Sequence, residues 1–388
     1  MKLLKLTAYG LPLFPEPLKL TFFAQQRVDE QARNSLCLLH PDSRFFLNSV
    51  NAFIGINASG KTSVLKVILL ALDILNNEPV NHSEAKDILG NAEDATFVMY
   101  FLSDTAELCQ LETHIMFTQK GSEPFYRIVS ETLWKKPLSS VATKKKLTDY
   151  SGIAPYAVRS REEAFLSDDI SIVIAYNKKV GQRIPVESLL SLTNRNVLPA
   201  SEDISADVIR FLDPTIEFLS FDCQGHKDTI HLKFKGAKEI ILSDPVALNQ
   251  YLSSGTIKGI ATFSLAIRIL KNGGYLVIDE LENHFNKEIA ATLMRLFMNS
   301  SVNRNGGILI FSTHYPELLD EFERNDSIFI TRNRSGITVS NLLSILKRND
   351  IKKSDAYQSD MLDGTVPSYE AYLKLKKSIQ SALTKEED

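Results

Sequence analysis

Apolar and polar residues alternate at 3–8 and again at 18–23, which predicts two strands joined as a hairpin. Residues 48–54 end in the apolar run Ala52-Phe53-Ile54, read as a buried strand, and 62–76 carry the spacing of a helix that Glu78-Pro79 stops. Alternation returns near 96–101, 111–117 and 125–130, predicting an antiparallel sheet. Between 134 and 221 the pattern is mixed, with helical spacing at 186–192 and 206–212, and 230–234 alternates like a strand. A long apolar helix follows at 257–270, and then come two short, continuously apolar runs, 275–278 and 307–311, of the kind buried on both faces of a parallel sheet. The order predicts an α/β protein in four parts: 1–130 with the β lobe, an inserted and partly helical lobe at 131–250, the second half of the sheet at 251–345, and a tail at 346–388.

Chemistry sits at the ends of those runs. Gly55-Ile56-Asn57-Ala58-Ser59-Gly60-Lys61-Thr62 fits G-x-x-x-x-G-K-[ST] between a strand and a helix. Glycines let the backbone curl until its N–H groups face phosphate oxygens, and the helix adds its positive end. Gly55, Asn57, Ala58, Ser59, Gly60, Lys61, Thr62 and Ser63 are thus expected around a nucleotide, with Lys61 reaching the β- and γ-phosphates and Thr62 ligating Mg²⁺. The strand 275–278 ends in Asp279-Glu280, an arrangement in which the first acid holds Mg²⁺ and the second polarises an attacking water. His314 ends the run that begins at 307 and is expected to sense the γ-phosphate. Leu252-Ser253-Ser254-Gly255-Thr256 puts hydroxyls and free N–H groups at a helix start, a second anion-binding surface formed by Ser253, Ser254 and Gly255. Singly, each has a plainer reading: the acids as helix caps, Ser253 as an ordinary N-cap, His314 as a structural residue. Their order along one chain favours the nucleotide.

That order resembles the ABC-type ATPase head, in its SMC-like and OLD-like branch, through Gly55–Thr62, Leu252–Thr256, Val277-Ile278-Asp279-Glu280-Leu281-Glu282-Asn283 and Phe311-Ser312-Thr313-His314. Within it the chain is similar to the stand-alone prokaryotic ATPases related to RloA, many of them in anti-phage defence operons. Asn283 is followed here by His284-Phe285-Asn286, where those proteins continue with a small residue, Leu and His. The resemblance implies a P-loop NTPase head with an antiparallel β lobe and an inserted signature lobe, taking ATP and Mg²⁺ as ligands. It also implies a head-to-tail dimer or higher oligomer in which Ser253 and Gly255 complete the partner's site. Lys61, Glu280 and His314 are the catalytic residues it implies, with Thr62 and Asp279 on the metal. A glutamine on the Mg²⁺ side is left between Gln110 and Gln119.

Composition narrows the alternatives. With 388 residues, 44% hydrophobic and 23% charged, the chain can bury a large core. Cys37, Cys109 and Cys223 have no paired spacing, which suits a reducing, cytoplasmic setting. Lys5, Pro12, Pro15 and Pro17 interrupt any signal-like run at the start, and no apolar run approaches the ~18 residues of a membrane span. A net charge of −3 gives no global footprint for a polyanion, although Lys135, Lys136, Lys144, Lys145 and Lys146, and separately Lys374, Lys376 and Lys377, form local clusters that are read as solvated surface or as contacts to DNA. Cys223, His226 and His231 lack a fourth ligand, so zinc is not expected. No heptad arms lie between 62 and 252, and the stretch after His314 leaves no room for a Toprim-type nuclease domain, so any nuclease would be a separate effector. The expected function is an ATPase acting as the sensor of a defence or toxin system, with a RecF-like DNA repair ATPase and a non-hydrolysing, ATP-bound scaffold as alternatives.

Overall fold

The computed structural model describes residues 1–120, 123–159, 166–174, 183–192, 205–222, 229–283, 285–348, 351–365 and 369–384. Its centre is made by the short apolar runs. Strands Gly274–Ile278, Gly307–Thr313 and Val50–Ile54 lie side by side in parallel, in that order, and Ile328–Asn333 continues the parallel set beyond Val50–Ile54. Ile337–Asn341 closes that edge in the antiparallel sense, and Val186–Ser188 adds a parallel strand at the other.

A repeat of two sends neighbouring side chains to opposite faces, and both faces are covered. Phe53, Tyr275, Val277, Ile308, Ile310 and Phe329 enter the core shared with helix Lys61–Leu75 and the antiparallel sheet. Ala52, Ile54, Leu276, Ile278, Leu309 and Phe311 enter a second core with helices Ser254–Asn272 and Lys287–Phe297. Because helix Lys61–Leu75 is packed on two sides, it is buried almost all round, whereas Lys287–Phe297 keeps a polar face.

The antiparallel sheet runs Leu18–Thr21, Lys2–Tyr9, Ala95–Leu102, Glu107–Lys120, Glu123–Pro137, Ala157–Val158. The hairpin expected from 3–8 and 18–23 forms, with Leu6 opposite Leu20. The backbone N–H of Leu3 donates to the buried Tyr275 hydroxyl at 2.6 Å and ties the two sheets together. Strand Glu123–Pro137 runs through residue 130, because Leu133 and Trp134 find partners in Leu111 and Gln110, so the β lobe extends past the boundary drawn from sequence.

Helix Ala206–Leu212 forms where the spacing placed it. Residues 186–192 are not helical throughout: Val186–Ser188 is a strand and only Leu190–Leu192 a 3₁₀ turn, since the exposed edge of Gly274–Ile278 offers backbone partners that outweigh local spacing. Strands Ile216–Asp222, Thr229–Phe234 and Ile240–Leu242 build a small antiparallel sheet, whose Ile216, Ile230 and Leu232 pack with Ile209, Ile257 and Ile260 in a third core. Among the described residues no helix is long and apolar enough to cross a membrane.

Candidate nucleotide-binding site

Three parallel strands that lie adjacent must end along one edge of the sheet, and this brings the candidates together. Ile278 is opposite Phe311 and Thr313 opposite Ile54, so the next residue on each outer strand, Asp279 and Gly55, flanks the end of the middle strand at Ser312, Thr313 and His314. Ligands gather at such carboxyl ends.

The loop after Ile54 curls through two residues in the left-handed region, Ala58 with φ 59 and Gly60 with φ 94. A left-handed Ala costs about 1 kcal/mol and is held by neighbours: Asn333 Nδ2 donates to Ala58 O at 3.1 Å, while Ser59 Oγ and Thr331 Oγ1 lie 2.8 Å apart. Helix Lys61–Leu75 starts from Gly60 without a side-chain cap, so its first N–H groups are left to a ligand. The close fit excludes a side chain at Gly55, where a Cβ would lie 2.3 Å from Ser59 Oγ and 2.4 Å from Thr331 Oγ1.

Lys61 is buried, and its Nζ donates to the carbonyls of Gly55 at 3.0 Å and Ile56 at 3.2 Å, with His314 Nδ1 at 3.4 Å. Burial holds its pKa below the ordinary lysine value, opposed by the charges of Asp279, Glu282 and Glu280. Thr62 Oγ1 donates to Asp279 Oδ2 at 2.7 Å. The other oxygen, Asp279 Oδ1, accepts from Ser312 Oγ, which itself accepts from the Glu280 N–H at 2.8 Å. Glu280 has φ 51, and its Oε1 is 3.7 Å from His314 Nε2. The sharp turn after the strand thus aims Asp279 and Glu280 differently, one into the Thr62 hydroxyl and one towards the histidine.

Three participants were not assigned from sequence. Ser312 lies within Phe311-Ser312-Thr313-His314, but its bridge to Asp279 and Glu280 depends on the strand order. Glu282 is buried; one oxygen accepts the His314 N–H, and Oε2 has no hydrogen-bond partner. Two residues after an acidic pair, a third carboxylate was the available signal. Lys258, one turn into helix Ser254–Asn272, is buried with its pKa lowered, while the charges of Glu280, Asp279 and Glu282 act to raise it.

Ser253 stands elsewhere. It is exposed, and its Oγ caps its own helix by accepting from Thr256 N at 3.0 Å, with Ser254 and Gly255 following in the first turn. The hydrogen bonds that gather Lys61, Thr62, Asp279 and His314 do not include it. Gln110 and Gln119 both lie on strand Glu107–Lys120, opposite Trp134 and Pro124. Cys223 and His226 are outside the described residues; His231 Nδ1 is 2.6 Å from Glu239 Oε1. The lysines of 135–146 are largely engaged: Lys135 with Glu107, Lys136 with the carbonyls of Lys146 and Asp149, Lys144 with those of Gln25 and Gln26, Lys146 with Asp149.

A family model described as "AAA domain, putative AbiEii toxin, Type IV TA system" matches residues 50–320, from the strand that feeds the phosphate loop to just past His314. The chain belongs to this AAA-domain family. No curated protein matches it. Membership makes it a P-loop ATPase of the nucleotide-binding kind, and the residues fit such a ligand. An AAA-domain site needs an uncapped helix start, a loop with no room for side chains and hard oxygen donors for Mg²⁺; here these are Gly60, Gly55, and the pair Thr62 and Asp279.

Proposed function

We propose that the chain binds and hydrolyses ATP with Mg²⁺, and that ATP joins two copies as in ABC and SMC-like heads. The reading is carried by one observation: Lys61, Thr62, Asp279, Glu280 and His314, spread over the chain, meet at the ends of three neighbouring strands. Thr62 and Asp279 would hold Mg²⁺, which when bound neutralises phosphate charge. Lys61 is already turned back on the loop carbonyls and needs only to exchange them for β- and γ-phosphate oxygens. Glu280 would accept a proton from water, positioned by the Ser312 hydrogen bond to its backbone, and His314 would contact the γ-phosphate. Ser253, exposed at its helix start, and the half-buried Gly255 would complete the site of a second copy.

The biological setting follows the family description, whose words are a toxin and a type IV toxin–antitoxin system. We place the chain as the sensing ATPase of such a system or of anti-phage defence, acting with a separate effector such as a nuclease. Light scattering after size exclusion tests the shared-site mechanism. Glu280→Gln with ATP and Mg²⁺ is expected to run at twice the monomer mass and Lys61→Ala at the monomer mass; a Glu280→Gln protein of unchanged mass with and without nucleotide contradicts it.

A further inference from the structure

A cavity of about 600 Å³ lies at the opposite end of the central sheet from the phosphate loop. Its lining is Arg27, Val28, Arg33, Leu38, Ser43, Arg44, Phe46 and Lys144: four cations, no carboxylate, and three apolar side chains, one of them aromatic. Phe46 begins the short strand Phe46–Asn48, which leads into Val50–Ile54. The length of that second strand, roughly 16 Å at the usual rise, therefore separates this cavity from the loop after Ile54.

The hydrogen bonds that hold Arg44 and Lys144 do not neutralise them. Arg44 donates to the carbonyl of Ala142, and Lys144 to those of Gln25 at 3.1 Å and Gln26 at 2.7 Å. The segment bearing Arg27 is pinned from beneath: Asp326 accepts the N–H groups of Gln25 and Gln26, and the buried Arg324, paired with Asp326, donates to the carbonyls of Gln26 and Arg27. Near in sequence, Asp29 accepts the Ala32 N–H and Asp42 lies beside His40; Glu323 accepts from Gln31, and Asp326, whose charge acts on Lys144, is itself paired with Arg324. Four positive charges line a cavity that no carboxylate lines, two of them, Arg44 and Lys144, held by neutral carbonyls, and this favours an anionic ligand. Their guanidinium forks match phosphate oxygens. The volume is that of a small-ligand pocket, and Phe46, Leu38 and Val28 give its lining an apolar part that includes one aromatic ring.

We propose that this cavity binds a nucleoside phosphate, with Arg27, Arg33, Arg44 and Lys144 on the phosphate and Phe46 against the base. The ligand is either a free nucleotide or one residue of a single-stranded nucleic acid, and the site is independent of the ATP reading above.

The test uses the full chain carrying Lys61→Ala, which removes the phosphate-loop lysine, and follows fluorescence anisotropy with labelled AMP, dT15 and rA15 at low salt. Arg27→Glu/Arg33→Glu changes two exposed side chains, and its thermal melt checks the fold; Phe46→Ala tests stacking, and Lys235→Glu/Lys238→Glu, two exposed lysines after strand Thr229–Phe234, is the charge control. The parent is expected to bind at least one probe, the double arginine variant about tenfold or more weakly, Phe46→Ala a few-fold weakly, and the control equally. Binding of the oligonucleotides alone identifies a strand as the ligand; equally sensitive binding of AMP identifies a free nucleotide. A parent that binds none of the three, a folded arginine variant that binds like the parent, or the same loss in the control overturns the proposal.

Discussion

Thr62 Oγ1 donates to Asp279 Oδ2 at 2.7 Å, closing a contact between residues 217 apart in the chain. In the proposed mechanism a bound Mg²⁺ would take both oxygens in place of this hydrogen bond. Asp279→Asn keeps the shape but removes the charge that would hold Mg²⁺. Titration with a fluorescent ATP analogue is expected to give tighter binding with Mg²⁺ than with EDTA for the parent, by about tenfold, and nearly equal binding for Asp279→Asn.

Lys258 supplies counter-charge to the same acids from another helix. Its replacement by Met leaves Asp279, Glu280 and Glu282 facing the incoming phosphates with one cation fewer. ATP affinity is expected to fall about three- to tenfold, on the order of 1 kcal/mol, and the loss to shrink as salt screens the repulsion. Titrations at low and high salt check both.

Asp73, on the helix after the phosphate loop, provides a pH signature of stability. Burial raises its carboxyl from 3.8 to about 6, with the Ser83 hydroxyl pulling the other way and Glu78 and Glu84 adding to the rise. Folding therefore favours the protonated form. That stabilisation is complete below 3.8 and lost as pH rises through about 6. Asp73→Asn, which can still accept from Ser83, is expected to be more stable than the parent by about 2 kcal/mol at pH 8 and nearly equal to it at pH 4. Melting curves across that range are the measurement.

Glu131 anchors the β lobe to the stretch that follows it. Its buried carboxylate accepts from Thr113 Oγ1 at 2.8 Å, Ser171 Oγ at 2.7 Å and the Ile172 N–H at 2.8 Å, and meets Arg159 at 3.2 Å. Glu131→Ala removes the acceptor of Thr113, Ser171 and Ile172, leaves Arg159 only its bonds to the Ser167 and Ile170 carbonyls, and is expected to cost about 3 kcal/mol or more in denaturant unfolding, with Glu131→Gln losing less because it keeps the volume and an acceptor.

How far the sequence could be read depended on whether a feature was local. Val277 and Ile278, or Ile310 and Phe311, mark strands because a continuous apolar run bounded by Gly and by polar residues has few other uses, and the loop from Gly55 to Thr62 fixes its own neighbours. Strand Val186–Ser188 exists because another strand's edge is there to receive it, and nothing in 186–192 says so. Ser312 bridges Asp279 and Glu280 only because the strands fall in the order they do, and Lys258 reaches the acids only through the packing of its helix. The lysine cluster at 135–146 illustrates the converse: a run of like charge in sequence became a set of tethers between segments.

Glu280 bears the central claim, since in the proposed mechanism Lys61 and Asp279 serve binding while turnover needs a base. The decisive measurement is phosphate release by the parent and by Glu280→Gln at saturating ATP and Mg²⁺, with ATP affinity measured on the same samples. The account predicts turnover by the parent, a loss of about a hundredfold or more in Glu280→Gln, and an ATP affinity in the variant at least equal to the parent's. Equal rates in the two proteins, with ATP bound by both, would contradict it.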